Sequence, residues 1–104
     1  MASVKVARTE EVPIGKGKVV KAAGRALALF NIGGKFYAVD NRCTHVGGPL
    51  GEGAVAGNVV TCPWHGSRFD VTTGQVIEPP ARRPVRTFPV KVVEGAIYVE
   101  VPGS

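Results

Sequence analysis

Four residues constrain this chain more than any other feature: Cys43 and His45 in Cys43-Thr44-His45, and Cys62 and His65 in Cys62-Pro63-Trp64-His65. They fall as Cys-x-His, sixteen intervening residues, then Cys-x-x-His, and they use every cysteine and histidine in the 104 residues. Thiolate and imidazole are soft to borderline metal donors, and each half supplies one of each. In a binuclear centre the two cysteines can hold one ion and the two histidines the other. Each segment then reaches both ions, so the two segments must lie side by side at one end of the domain. Competing readings are a set of unrelated core and surface residues, a single disulfide, and a structural Cys₂His₂ zinc site. Zinc fingers usually pair like ligands in sequence, Cys-x₂₋₄-Cys then His-x₃₋₅-His, whereas here the order alternates.

The length fits one small domain, residues 1–104, in which a bound metal centre helps a limited core. Fourteen glycines and eight prolines are many for this length and point to frequent turns and short strands. No stretch approaches the roughly 20 apolar residues of a membrane span. The first fifteen residues lack the apolar core of a secretory signal. The expected location is therefore cytoplasmic, without membrane association. The formal charge is +5, and the basic residues are densest at Arg82, Arg83 and Arg86. No recognition helix or interleaving of aromatic and basic residues points to nucleic acid. The basic residues read equally as a solvated face or as a docking surface for an acidic partner.

Along the chain, β-type runs alternate with glycine turns, and no segment reads as a helix. Strands are expected at Val4–Ala7, Lys18–Ala22, Ala26–Ile32 and Lys35–Val39, with Gly33-Gly34 as a tight hairpin turn. Gly15-Lys16-Gly17-Lys18 reads as a turn into a strand. From Asp40 to about Pro80 the strand signals thin out, leaving Val59–Thr61, Arg68–Val71 and a turn at Thr73-Gly74. A second hairpin follows, Thr87–Val93 and Ala96–Val101 around Glu94-Gly95. The expected architecture is all-β: a base of about residues 1–40 and 81–104, with a loop-rich insertion at about 41–80 built around something other than hydrophobic packing.

The residues around the four ligands are Cys43-Thr44-His45-Val46-Gly47-Gly48-Pro49-Leu50 and Cys62-Pro63-Trp64-His65-Gly66-Ser67-Arg68-Phe69-Asp70. With Thr73-Gly74, Pro79-Pro80 and Arg86-Thr87-Phe88-Pro89-Val90, they resemble the Rieske family across most of the chain. The resemblance implies an antiparallel β-sandwich base with a small cluster-binding subdomain. It also implies one Rieske-type [2Fe–2S] cluster per chain, held by Cys43, His45, Cys62 and His65. Neutral imidazoles add no negative charge, so such clusters are easier to reduce, at roughly −150 to +300 mV against about −400 mV for all-cysteine plant-type centres. The family places the two histidine rings near solvent, at the electron's exit.

Two departures place the chain within that family. Its respiratory members carry two further cysteines that link the cluster loops; the matching positions here are Gly48 and Trp64. They also use a Ser and a Tyr to donate hydrogen bonds toward the cluster sulfurs. Ser67 matches the first, but Phe69 replaces the second. Fewer donors stabilise the reduced state less, so the expected potential lies toward the low end of the range, raised somewhat by Ser67. Gly47, Gly48, Gly51 and Gly53 form no phosphate cradle, because no Gly-Lys-Ser/Thr follows; tight turns with N–H groups facing the sulfides are expected. Pro79-Pro80 is expected in a loop covering the cluster, Trp64 as a shield or at the docking rim, and Asp40 and Asp70 as turn-fixing residues.

By size and layout the chain is similar to the soluble bacterial Rieske-type ferredoxins of aromatic-ring dioxygenases. That implies a monomeric one-electron carrier, not itself an enzyme, between a flavin-dependent ferredoxin reductase and a terminal oxygenase. The alternatives are a small Rieske subunit of a larger oxidoreductase such as a nitrite reductase, and a non-redox module with structural zinc.

Overall fold

The computed structural model describes residues 2–42, 49–64, 66–79 and 81–102. The third strand explains how the layers are arranged. Arg25–Ile32 (β3) contains Ala-Leu-Ala-Leu-Phe, and a strand points alternate side chains to opposite faces. Ala28, Leu29, Phe30 and Leu27 are all fully buried, so β3 has protein on both sides. It pairs antiparallel with Gly17–Ala22 (β2) on one edge and with Lys35–Asp40 (β4) on the other. The short strand Thr87–Phe88 completes this central sheet beside β4.

Leu27 and Leu29 face one hydrophobic cluster with Val20, Ala38 and Phe88 of the same sheet. The opposing residues, Ala7, Ile97, Val99 and Val101, come from a three-stranded sheet in the order Ala2–Arg8 (β1), Ala96–Val101, Val90–Val93. Ala28, Phe30 and Val39 face a second cluster on the other side, with Leu50, Val60, Cys62, Phe69 and Val71. Complete burial of each large apolar side chain contributes about 1.5–3 kcal/mol, so both faces of the central sheet hold their neighbouring layers.

The second cluster corrects one expectation. The middle of the chain folds as a four-stranded antiparallel sheet: Ala54–Ala56 (β5), Val59–Thr61 (β6), Arg68–Asp70 (β7) and Val76–Glu78 (β8). It packs on the base through ordinary apolar contacts. Among the described residues the helical content is two 3-10 turns, Thr9–Glu11 and Leu50–Glu52.

The expected strand Thr87–Val93 is also two strands. Thr87–Phe88 (β9) pairs with β4, whereas Val90–Val93 (β10) pairs with Ala96–Val101 (β11) in the other sheet. Pro89 sits at the changeover. It has no N–H to give a ladder, and its carbonyl accepts the Glu100 N–H of β11 at 2.9 Å. Both expected hairpin turns form, with φ of 62° and 96° at Gly33-Gly34 and 50° and 78° at Glu94-Gly95. A third, Ala23-Gly24, places an alanine at φ 53°.

Gly74 joins the middle sheet to the segment that follows it. Its φ is +82°, its carbonyl accepts the Val85 N–H at 2.7 Å, and a Cβ there would collide with the Val85 carbonyl oxygen. Gly57 also has a left-handed φ, +60°, but open space where a Cβ would go. Gly57→Ala should therefore cost only the left-handed backbone strain, about 1 kcal/mol. Gly74→Ala should cost that and a further ~1–3 kcal/mol from overpacking. Urea denaturation of the two variants checks the difference, and equal midpoints would show that the Gly74–Val85 approach relaxes freely.

Candidate metal centre

Of the four predicted ligands, Cys62 is among the described residues. Cys43, His45 and His65 lie outside them, as do Gly47, Gly48 and Pro80. What the structure does define is how the chain enters and leaves the two ligand-bearing segments.

The first segment is closed at its base. Arg42 and Pro49 form an antiparallel bridge, so the described residues on either side of 43–48 are adjacent. Asn41 holds both ends. Its N–H donates to the Ala26 carbonyl of β3 at 3.2 Å, and its own carbonyl accepts the Leu50 N–H at 2.7 Å. Its side-chain Oδ1 accepts the Gly51 N–H at 2.8 Å. Gly51 is packed so closely that a Cβ would lie 2.7 Å from Val19 Cγ2 and 3.1 Å from Asn41 Oδ1. Leu50, fully buried, anchors the exit of the loop in the second hydrophobic cluster.

The second segment is the loop of the β6–β7 hairpin. The pairs Val60–Phe69 and Thr61–Arg68 set the register, and the Cys62 N–H donates to the Ser67 carbonyl at 2.7 Å. Gly66, at φ 77°, turns the chain back. Cys62 is 1% exposed and shares the cluster that contains Leu50. The two segments are thus neighbours, as the ligand spacing requires. Ala54 pairs with Thr61, and a Cβ on Gly53 would collide with the Thr61 carbonyl oxygen. The exit of one loop therefore runs against the strand that enters the other.

A third segment closes over the same end. The fully buried Ser67 Oγ accepts the Ala81 N–H at 2.9 Å, tying the chain after Pro79-Pro80 to the second ligand loop. A hydroxyl has one proton to donate. Because Oγ is the acceptor toward Ala81, that proton is left for another acceptor. Phe69 is fully buried among apolar side chains. Trp64 is 51% exposed, which favours the rim over a shielding role. Asp70 fixes its turn, since Oδ1 accepts the Thr72 N–H at 2.8 Å and hydroxyl at 2.6 Å. Asp40 instead ends β4, where its N–H donates to the Arg86 carbonyl at 2.8 Å. A loop-fixing residue that the sequence reading missed is its neighbour Asn41. The available signal was an amide side chain at a strand end.

These features fit a cluster of the expected kind. A thiol that can ionise on a metal sits at the mouth of a tight loop. A serine hydroxyl lies five residues further along the same loop, and a second loop with one Cys and one His begins beside it.

The chain matches the family described as the Rieske [2Fe-2S] domain over residues 2–89. It is 38% identical over 102 residues to the 3-phenylpropionate/cinnamic acid dioxygenase ferredoxin subunit of Photorhabdus laumondii, covering 97% of this chain and 96% of that one. Its fold superposes on the Sphingomonas yanoikuyae B1 ferredoxin with a TM-score of 0.91 at 30% identity, covering 97% and 100% of the two chains. It is also similar to a chain in the complex of reduced oxygenase and oxidized ferredoxin of carbazole 1,9a-dioxygenase, with a TM-score of 0.88, 37% identity and coverage of 93% and 91%. Sequence, layer order and the paired loops agree with these matches, and the chain belongs to the Rieske [2Fe-2S] domain family.

Proposed function

We propose that this protein is a one-electron carrier that delivers electrons to the terminal oxygenase of an aromatic-ring dioxygenase system. The ligands assigned to its Rieske-type [2Fe–2S] cluster are Cys43 and Cys62 on one iron and His45 and His65 on the other. When bound, the cluster supplies a one-electron couple. The observation that carries this reading is near-complete, end-to-end similarity to a dioxygenase ferredoxin subunit, together with two adjacent loops that each bear one Cys and one His. The same similarity favours a free carrier over a subunit of a larger oxidoreductase. The electron source in this reading is a flavin-dependent reductase, and the carrier acts as a cytoplasmic monomer. Among the described residues no helix is long and apolar enough to cross a membrane. Residues 41–80 are read as the cluster-binding subdomain, and 1–40 with 81–104 as its base.

The protein's own residues do two things for such a couple. Asn41 and the Arg42–Pro49 bridge hold the ends of one loop, while β6, β7 and the Cys62–Ser67 bond hold the other. This limits how far the ligands move when the charge changes. With a cluster bound, the Ser67 proton would be available to a sulfur and would stabilise the added negative charge of the reduced state. Phe69 has no such proton.

Three outcomes are expected. The dithionite-reduced protein should give a Rieske-type EPR signal, with an average g below that of all-cysteine clusters; an all-cysteine type of signal, or zinc in place of iron and sulfide, would sink the assignment. Ser67→Ala should lower the midpoint potential in a redox titration, and an unchanged potential would mean that the hydroxyl serves only Ala81. Asn41→Ala leaves the Gly51 N–H without its partner, a loss of about 1–3 kcal/mol. It should release iron to a chelator several-fold faster, whereas Asn41→Asp, which keeps the acceptor oxygen, should stay near the parent. Parental iron release from the alanine variant would remove Asn41 from this role.

A further inference from the structure

The net charge of this protein is not spread evenly. Residues 79–89 carry Arg82, Arg83 and Arg86 and no carboxylate; residues 41–51 carry Arg42 and no carboxylate; residues 62–67 carry neither sign. The rest of the chain is close to balance, with nine basic residues against all eight acids. Described residues of these three segments are joined to one another: Ala81 to Ser67, and Asp40 beside Asn41 to Arg86. Arg42 stands at the base of the first loop, bridged to Pro49. Arg82 and Arg83 follow Ala81, which is bonded to Ser67 of the second loop.

Arg86 is brought to the same end because its carbonyl accepts the Asp40 N–H, one residue before Asn41. Its guanidinium lies 5.2 Å from the centre of the Phe88 ring, and Arg25, next to the Ala26 carbonyl that binds Asn41, lies 5.5 Å from the same ring. One aromatic ring thus holds two guanidinium groups together, which offsets part of their mutual repulsion. Of the carboxylates around these segments, Asp70 binds Thr72 and Glu78 lies 3.1 Å from Arg68, while Asp40 and Glu52 border the first ligand-bearing segment. Arg42, Arg82, Arg83 and Arg86 are exposed. Trp64, also exposed, supplies an apolar contact within the second loop, of a residue type enriched at interface centres.

We propose that this arginine rim is the docking surface for a redox partner whose own docking face is rich in carboxylates. The proposal rests on the electron-carrier reading above. Charges within about 8–10 Å of the contact dominate at physiological salt, so the local placement of these arginines sets the partner's sign more than the lysines elsewhere. The effect falls mainly on encounter rate and on the exclusion of partners with a basic face.

Small charged oxidants test the sign of the field at the electron's exit. The reduced protein is mixed in stopped flow with ferricyanide, an anion, or with hexaammineruthenium(III), a cation, across a range of ionic strength. The expected rate constant for ferricyanide falls as salt rises, and that for the ruthenium complex rises. A variant combining Arg82→Gln, Arg83→Gln and Arg86→Gln should react with ferricyanide about tenfold more slowly at low salt, at the low end of the steering range. A charge-matched control combining Lys5→Gln, Lys35→Gln and Lys91→Gln should keep the parental salt slope. In isothermal titration at low salt, poly-L-glutamate should bind the parent and the lysine variant but not the arginine variant. Because Arg86 also stacks on Phe88, the double change Arg82→Gln with Arg83→Gln serves if the triple variant fails to fold. Equal salt slopes for the arginine and lysine variants, or a reversed slope for ferricyanide, would overturn the proposal. Failure of the carrier reading itself would show separately, as a missing EPR signal in the parent.

Discussion

Burial of β3 on both faces is the constraint on which the other elements depend. A strand with Leu27 and Leu29 on one side and Ala28 and Phe30 on the other cannot sit at a surface. It requires a sheet beneath and a sheet above, and the chain supplies one from its two ends and one from its middle. The ligand loops are carried at the end of that layer, where Asn41 connects them directly to the β3 backbone. The placement of the described ends of the two ligand-bearing segments is therefore a consequence of core packing, passed on in the first of them through one amide residue.

Much of this was legible in the residues. The hairpins around Gly33-Gly34 and Glu94-Gly95 announce themselves through paired turn residues and apolar alternation, and their strands fall within one or two residues of expectation except at Thr87–Val93, which divides at Pro89. Of the middle sheet, Val59–Thr61 and Arg68–Asp70 were legible, whereas its two edge strands were not, for a physical reason. Ala54–Ala56 and Val76–Glu78 are three residues long and contribute no fully buried side chain. Their stability comes from neighbours such as Val60 and Phe69, and a pattern of period two has no length in which to show. The break at Pro89 was available in the sequence, since proline cannot sit inside a ladder, but the valines after it mask the change of partner.

At the site, the candidate ligands and their spacing stand out in the sequence because metal chemistry restricts both, and of the four only Cys62 lies among the described residues. That spacing led to the expectation of adjacent loops, and at their described ends the β5–β6 register and the Leu50–Cys62 cluster make the two segments neighbours. The clamp at Asn41 was not readable, because an asparagine ahead of a turn has many ordinary uses. Its partner Gly51 reveals its purpose only once Val19 is seen pressing from the other side. The substitution of Phe for a hydroxyl-bearing residue at position 69 gains a structural sense as well: the ring fills the interior between two layers.

The segment from Ala81 to Val93 has a mechanical meaning. Within thirteen residues it bonds to the second ligand loop, to the turn at Gly74, to the end of β4, to the central sheet, and finally to the outer sheet. All three layers are stitched by this one thread. No layer can swing away without stretching it, so slow opening motions that free one sheet must disturb the others. For an electron carrier, the stitch ties the end that bears the ligand segments to every layer of the core.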